Sequence, residues 1–136
     1  MQDRGTVYII DDDAIIRRSL AVVVQRAGYT AHPFANGDDF VAALDYLEDG
    51  CVLLDVHMPG LSGLDVQDVL VEHGSQMPVL IMTGAGDIPT AVRAIKHGAL
   101  QFIEKPLDDH LLLEMIETAF TRMLQSRSSQ KGTQEG

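Results

Sequence analysis

The sequence predicts a doubly wound α/β domain built on one five-stranded parallel sheet. Five short apolar runs of strand length alternate with five segments whose apolar residues recur at helical spacing. The central run, residues 51–54, consists only of apolar residues and leads directly into Asp55, as expected for a strand that is buried on both faces. Alternating strands and helices place the strands in parallel at the centre, with helices on both faces.

The strands are predicted from apolar runs that are bounded by turn residues. The second run is the weakest, and Pro33 within it indicates a strand at the edge of the sheet. The turns after the third run, at Pro59 and Gly60, and after the fourth, at Gly84, mark clear strand ends. The predicted strands cover residues 6–10, 29–34, 51–54, 77–82 and 100–103.

The helices are predicted from capping residues and from apolar stripes. Aspartates begin the first helix and Gly28 ends it, while Ser62 is a good N-cap for the third. Pro89 is acceptable in the first turn of the fourth helix, which Gly98 closes. The predicted helices cover residues 11–27, 36–47, 62–73, 89–97 and 108–125. The last helix carries one apolar stripe, namely Leu112, Met115, Ile116, Ala119, Phe120 and Met123.

Right-handed crossovers leave few topologies for five such units. The flavodoxin-like strand order 2-1-3-4-5 places strands one and three side by side at the switch point, where open α/β sheets bind their ligands. That order brings Asp11 and Asp12, at the end of strand one, next to Asp55, at the end of strand three.

Composition limits the classes of function. The 136 residues suit a single domain, and 10 basic against 20 acidic residues give a net charge of −10, which argues against direct binding of nucleic acid. Cys51 is the single cysteine, so no internal disulfide can form, and we expect a reducing, cytoplasmic location. No apolar run has the length of a membrane span or of a signal peptide, and we expect no membrane partner.

Polar residues follow four of the five strands, at the edge where ligands bind. They are Asp11, Asp12, Asp55, Thr83 and Lys105. The carboxylates of Asp12 and Asp55, with the backbone carbonyl of His57, offer hard oxygen ligands for Mg²⁺. Lys105 and the Thr83 hydroxyl can hold phosphoryl oxygens. The set therefore predicts a magnesium-dependent phosphoryl-acceptor site centred on Asp55.

Each residue also has a simpler interpretation. The aspartates at 11–13 can serve only as a helix cap, Asp55 and Thr83 can merely end strands, and Lys105 can be a solvated loop lysine. Their common position at the carboxyl edge of one sheet favours the functional interpretation.

Four motifs, in this order and spacing, resemble the receiver domain of two-component response regulators, and the resemblance covers about residues 6–122. The motifs are Ile9-Ile10-Asp11-Asp12-Asp13, Leu54-Asp55-Val56-His57-Met58-Pro59-Gly60, Met82-Thr83-Gly84 and Phe102-Ile103-Glu104-Lys105-Pro106. The stretch 83–92, continuing to Gly98-Ala99, is similar to the FixJ-type subfamily.

The resemblance implies a (βα)5 receiver fold and a role for each motif residue. Asp55 would accept a phosphoryl group from a sensor histidine kinase, and Thr83 and Lys105 would bind that group. Mg²⁺ would be held by Asp12, Asp55 and the His57 carbonyl, with Asp11 acting through water. Phe102 would turn inward as Thr83 moves toward the phosphate, and the Lys105–Pro106 peptide bond would be cis.

The resemblance also implies partners. The phosphorylated domain would form a homodimer through the face of helix four, strand five and helix five, where we expect Val92, Lys96 and Leu112. Residues 1–125 would form the receiver, and residues 126–136 a flexible linker or tail that leads to a missing DNA-binding output domain regulating transcription. The domain would be no enzyme beyond its own phosphorylation and slow autodephosphorylation.

Three alternatives remain open from the sequence. A stand-alone receiver would lack the output domain. A Mg²⁺-dependent aspartyl-phosphate phosphatase would need a second catalytic acid two residues after Asp55, where His57 stands instead. A pure binding module would hold a cation in its acidic pocket without reacting.

Overall fold

The computed structural model describes the backbone of residues 3–135 and the side chains of residues 3–126. Strands and helices alternate along the chain, and a 3-10 turn at Leu44–Tyr46 follows the second helix. The strands are β1 (Thr6–Ile10), β2 (Thr30–Phe34), β3 (Gly50–Asp55), β4 (Val79–Thr83) and β5 (Gln101–Glu104). The helices are α1 (Ala14–Arg26), α2 (Gly37–Ala43), α3 (Gly63–Glu72), α4 (Ile88–Lys96) and α5 (Asp109–Glu135).

The five strands form one parallel sheet in the order β2-β1-β3-β4-β5, which confirms the predicted fold class. The register of this sheet determines which residues lie next to one another at its carboxyl edge. Ile10 pairs with Leu54, so the residues that follow them, Asp11 and Asp55, lie side by side. Thr83 pairs with Glu104, which places Lys105 one residue further along the same edge.

The sheet separates two apolar layers, because alternate strand residues point to opposite faces. Val7, Ile9 and Leu53 face α1 and α5, whereas Tyr8 and Ile10 face α2, α3 and α4. The helices complete the first layer with Leu20, Val24, Leu112, Ile116 and Ala119, and the second with Phe40, Val66, Leu70 and Ala94.

Short polar side chains begin three helices, largely as the sequence predicts. Asp13 accepts hydrogen bonds from the N–H groups of Ile15 and Ile16, and Asn36 accepts one from Asp39. Ser62 and Asp65 form a reciprocal capping box at the start of α3. Gly28 ends α1 with a φ of 98°, a conformation that glycine adopts without a steric penalty.

Two helices differ in length from their prediction. The α-helical part of α2 ends at Ala43 rather than near residue 47, because the chain tightens into the 3-10 turn. Helix α5 runs to Glu135, past the predicted end at residue 125. Most of the predicted linker, residues 126–136, has its side chains outside the described residues, and the prediction of a flexible linker stays a prediction.

The placement of Leu112 on the dimer face is wrong. Its side chain is fully buried between α5 and the sheet, so it cannot line a surface. The exposed residue at this point of α5 is its neighbour Leu111, which is 43% exposed. Val92 and Lys96 are exposed on α4, as the prediction requires of them. Within the described part of the chain, no helix is both long and apolar enough to cross a membrane.

Candidate functional site: an acidic pocket at the carboxyl edge of the sheet

Three aspartates from two neighbouring strands converge at the carboxyl edge. Carboxylate oxygens of Asp11, Asp12 and Asp55 all lie within 4.8 Å of one another. Asp11 is fully buried, Asp55 is 6% exposed and Asp12 is exposed. Because packed carboxylates repel one another, a bound cation would stabilise this arrangement. Oxygen ligands, one of them open to solvent, fit Mg²⁺, which keeps several of its waters in protein sites.

Lys105 reaches across the site from the loop after β5. Its Nζ lies 2.9 Å from Asp11 Oδ2, to which it donates a hydrogen bond, and 3.4 Å from Asp55 Oδ2. Burial lowers the pKa of Lys105, but the hydrogen bond to Asp11 and the charge of Asp55 outweigh that effect, so the net shift is upward. The amine therefore stays charged. This geometry excludes the interpretation of Lys105 as a solvated loop lysine.

Asp55 is difficult to ionise. Burial, and then the charge of Asp11, raise the pKa of Asp55 from 3.8 to about 6, although Lys105 and the His57 N–H oppose the shift. The His57 N–H donates to Asp55 Oδ1 at 3.3 Å. One ammonium group thus faces three carboxylates, and the pocket keeps an excess of negative charge at neutral pH.

The aspartates at 11–13 do not all make the same contacts. Asp13 caps α1, whereas the Asp11 side chain accepts a hydrogen bond from the Asp13 N–H at 2.9 Å and contacts Lys105. The Arg17 guanidinium donates to the Asp11 carbonyl at 2.8 Å. This contact was not predicted from the sequence, although Arg17 lies on the first turn of the helix that Asp13 begins.

Thr83 offers a buried donor without a partner. Its side chain is 1% exposed, and among the described residues its Oγ1 has no hydrogen-bond partner. Its carbonyl accepts from the Lys105 N–H at 2.7 Å, so the ends of β4 and β5 are held together. A buried hydroxyl without a partner costs free energy and requires an explanation. An incoming oxyanion at Asp55 would supply the missing acceptor.

Replacing Thr83 with Val is expected to raise the free energy of unfolding by about 1 kcal/mol, because the unpaired hydroxyl is removed with little change of shape. Urea denaturation without a phosphodonor measures this. Thr6→Val is the matched control, since Thr6 Oγ1 donates to Glu48 Oε1 at 2.7 Å, and it should lose stability. A Thr83→Val protein that is less stable than wild type would show that the hydroxyl is paired.

His57 lies beside the pocket, and its ring contacts Asp87, which is not one of the three clustered aspartates. The ring Nε2 is 3.0 Å from Asp87 Oδ2, at the start of α4. Hydrogen bonds from His57 and then from Thr90 lower the pKa of Asp87. The ring is therefore engaged elsewhere, while the role of the His57 carbonyl as a metal ligand stays a prediction. The Lys105–Pro106 bond is cis, as the resemblance to receiver domains implies.

The sequence model of the response regulator receiver domain matches residues 7–117. The chain belongs to this family. The receiver is 42% identical over 135 residues to the transcriptional regulatory protein FixJ of Bradyrhizobium diazoefficiens, covering 99% of this chain and 66% of FixJ. It is 42% identical over 130 residues to the response regulator protein TodT of Pseudomonas putida, covering 95% of this chain and 57% of TodT. This receiver thus spans less than two thirds of either relative.

Solved structures agree with the sequence relatives. Full-length FixJ from B. japonicum superposes with a TM-score of 0.89 at 41% identity, over 98% of this receiver and 66% of that chain. The structure of FixJ-N superposes with a TM-score of 0.82 at 37% identity, over 88% of this receiver and 94% of that chain. Receivers are signalling switches of two-component systems rather than catalysts, and they bind Mg²⁺ at a cluster of aspartates.

Proposed function

We propose that this receiver is switched by phosphorylation of Asp55 by a sensor histidine kinase. The proposal rests on the groups that meet at the Asp55 carboxylate. They are the positive charge of Lys105, the other acidic side chains of the cluster and a hydroxyl group without a hydrogen-bond partner among the described residues. Lys105 Nζ lies 3.4 Å from Asp55, Asp11 and Asp12 lie beside it, and Thr83 offers a buried hydroxyl at the end of the next strand. These groups match what phosphoryl transfer to a weak nucleophile requires, namely positioning and compensation of charge.

Mg²⁺ would be held by Asp12, Asp55 and the His57 carbonyl, with Asp11 acting through water. Asp11 already accepts hydrogen bonds from Lys105 and from the Asp13 N–H, so a contact through water suits it better than direct ligation. When bound, the metal supplies positive charge that offsets the charge of the phosphoryl oxygens.

The residues of the chain carry the transfer itself. Asp55 forms a new O–P bond as the P–N bond to the donor histidine breaks, and the released imidazole nitrogen takes up a proton. Lys105 pairs with one phosphoryl oxygen as a point charge, and the Thr83 hydroxyl donates to another. Hydrolysis of the acyl phosphate by water then resets the site, slowly, and this is the only turnover that we assign to the chain.

Phosphorylation would shift an equilibrium between two conformations. In the active one, the Thr83 hydroxyl moves to the phosphate and Phe102, which is now partly buried beside β4, turns inward. A change from 1:99 to 99:1 requires a differential of about 5.5 kcal/mol. Charge-assisted hydrogen bonds from Thr83 and Lys105, together with burial of the aromatic ring, supply a free energy of this order.

We infer that the active form pairs with a second copy through α4, β5 and α5. Val92 and Lys96 lie on this face. On α5 we assign Leu111 to it, because Leu111 is exposed whereas Leu112 is buried. Ile88 and Ile95, 48% and 41% exposed, add to an apolar stripe on α4. FixJ is named a transcriptional regulatory protein and is longer than this chain. By analogy, DNA would be bound in the cytoplasm by an output domain beyond residue 136.

Intact-mass measurement after incubation with acetyl phosphate tests the site. Wild-type protein with Mg²⁺ should gain one phosphoryl group, whereas protein without Mg²⁺, or with Asp55→Asn, should gain none. Asp12→Asn should react slowly, because it loses a metal ligand but keeps the nucleophile. Light scattering of the same samples then tests the dimer. A phosphoryl adduct on Asp55→Asn would refute the assignment of the site.

A further inference from the structure

The short turn between β1 and α1 carries two of the three clustered aspartates. Asp11 directly follows β1, and Asp12 lies between it and Asp13, the cap of α1. A change in the backbone of this turn would move both carboxylates relative to Asp55. Because Mg²⁺ demands near-ideal octahedral geometry, its affinity for the cluster depends on how firmly the turn is held.

Asp11 is held through its backbone as well as through its side chain. Its N–H donates to the Phe34 carbonyl at the end of β2, at 3.3 Å. Its carboxylate accepts hydrogen bonds from Lys105 and from the Asp13 N–H. Its carbonyl accepts a hydrogen bond from Arg17 Nη1 at 2.8 Å. Arg17 therefore ties the backbone of the turn to α1.

The position of Arg17 on the helix explains this contact. Arg17 lies one helical turn after Asp13, and its N–H donates to the Asp13 carbonyl at 2.9 Å. Long side chains on a helix lean toward its N-terminus, so the guanidinium reaches back past the cap to the Asp11 carbonyl. Arg17 is partly buried, whereas the next residue, Arg18, is exposed. A hydrogen bond from a charged donor is roughly twice as strong as one between neutral groups.

Asp12 depends on this contact more than the other two aspartates do. Its side chain is exposed, and among the described residues its carboxylate has no hydrogen-bond partner. Its place in the cluster is therefore set by the backbone on either side. Asp13 holds one side as the cap of α1, and Arg17 holds the other through the Asp11 carbonyl.

We propose that Arg17 is a positioning residue of the metal site, which fixes the Asp11 carbonyl and thereby presents the Asp12 carboxylate to Mg²⁺. This inference rests on the proposed function for the identity of the metal ligands. The guanidinium has two opposing effects. Its positive charge near the acidic cluster disfavours binding of a second cation, whereas its hydrogen bond orders the ligands. The hydrogen bond is the larger effect, so loss of Arg17 weakens Mg²⁺ binding although it removes a positive charge.

The Mg²⁺ affinity of two variants tests this sign. The increase in the free energy of unfolding with Mg²⁺ concentration reports the affinity separately from the stability of the metal-free protein. Arg17→Met keeps a good helix former and should require about tenfold more Mg²⁺ for the same increase. Arg17→Lys keeps the charge and can donate one hydrogen bond, so its affinity should stay within about threefold of wild type.

Two controls separate positioning from charge and from stability. Arg18→Met makes the same change at the exposed neighbour, and Thr6→Val removes the hydrogen bond to Glu48 at the opposite end of β1. Both should bind Mg²⁺ as wild type does. An Arg17→Met protein that binds Mg²⁺ as tightly as wild type, or more tightly, would overturn the proposal. A similar loss of affinity in Arg18→Met or in Thr6→Val would overturn it as well.

Hydrogen exchange followed by mass spectrometry tests the order of the turn without any metal. In Arg17→Met, exchange at residues 11–16 should be about three- to tenfold faster, the range of one hydrogen bond, and exchange at residues 20–26 should not change. Unchanged exchange at residues 11–16 would contradict the positioning role. If circular dichroism shows that Arg17→Met does not fold, Arg17→Gln takes its place, because its amide ends short of the guanidinium nitrogens. Failure of Asp55 to gain a phosphoryl group would refute the proposed function alone, since neither measurement uses a phosphodonor.

Discussion

Asp55→Asn is expected to raise the free energy of unfolding by about 3 kcal/mol at pH 8 in the absence of Mg²⁺. Folding raises the pKa of Asp55 from 3.8 to about 6. The folded state therefore disfavours the charged form of Asp55 by about 3 kcal/mol. The amide keeps the shape of the side chain but cannot ionise. It therefore removes both the cost of burying a charge and the repulsion from Asp11.

The pH dependence of this difference has a definite sign. A pKa that is raised on folding stabilises the folded state below about pH 3, where Asp55 is protonated in both states, and this contribution is lost as the pH rises through 6. The advantage of Asp55→Asn should thus be near zero at about pH 3 and complete by about pH 7. Urea titrations at several pH values measure it, with Asp12→Asn, the same change at the exposed aspartate, expected to gain no more than about 0.5 kcal/mol.

Mg²⁺ should reduce the difference in stability between Asp55→Asn and wild type. The metal binds the wild-type carboxylates and stabilises the folded state more as its free concentration rises. An advantage of Asp55→Asn that does not vary with pH would instead point to a packing effect. Wild-type protein that is as stable as the variant at pH 8 would show that the pocket does not strain Asp55.

The sequence could predict the edge of the sheet that carries the site because strand ends follow from short-range signals. Asp11, Asp55 and Thr83 each end an apolar run, and a parallel sheet brings such ends to one edge whatever the details of packing. The side-by-side placement of Asp11 and Asp55 then needs only the strand order, which right-handed crossovers restrict strongly. The roles predicted for these residues in phosphoryl transfer stay predictions.

Contacts between distant side chains could not be predicted in this way. The contacts of His57 with Asp87 and of Gln67 with Ala94 join residues 30 and 27 positions apart, and they depend on how α4 lies against α3. Leu112 shows a different failure. The helical period of α5 already assigns it to the core stripe with Ile116 and Ala119, so the placement on the dimer face conflicted with the stronger signal.

Lys105→Met is expected to lower the free energy of unfolding by about 3 kcal/mol at pH 8 without Mg²⁺, because removal of one partner leaves buried carboxylates unpaired. Asp11 is fully buried and loses the ammonium group at 2.9 Å, and Asp55 loses it at 3.4 Å. The same change should tighten Mg²⁺ binding, since the metal becomes the main positive charge facing three carboxylates. Stability measured against Mg²⁺ concentration reports both effects in one experiment.

In Lys105→Met, the rate of phosphorylation should fall while the affinity for Mg²⁺ rises. Without the Lys105 ammonium, the phosphoryl oxygens lose a positioned charge, and the rate with acetyl phosphate should fall about 100-fold even at saturating Mg²⁺. Lys96→Met is the matched control, because it removes the same charge from an exposed position on α4 and should leave stability, metal affinity and rate near wild type. If Lys105→Met bound Mg²⁺ more weakly than wild type, the lysine would support the metal site rather than compete with it. Tighter Mg²⁺ binding together with slower phosphoryl transfer in Lys105→Met would show that Lys105 acts on the phosphoryl group and not on the metal.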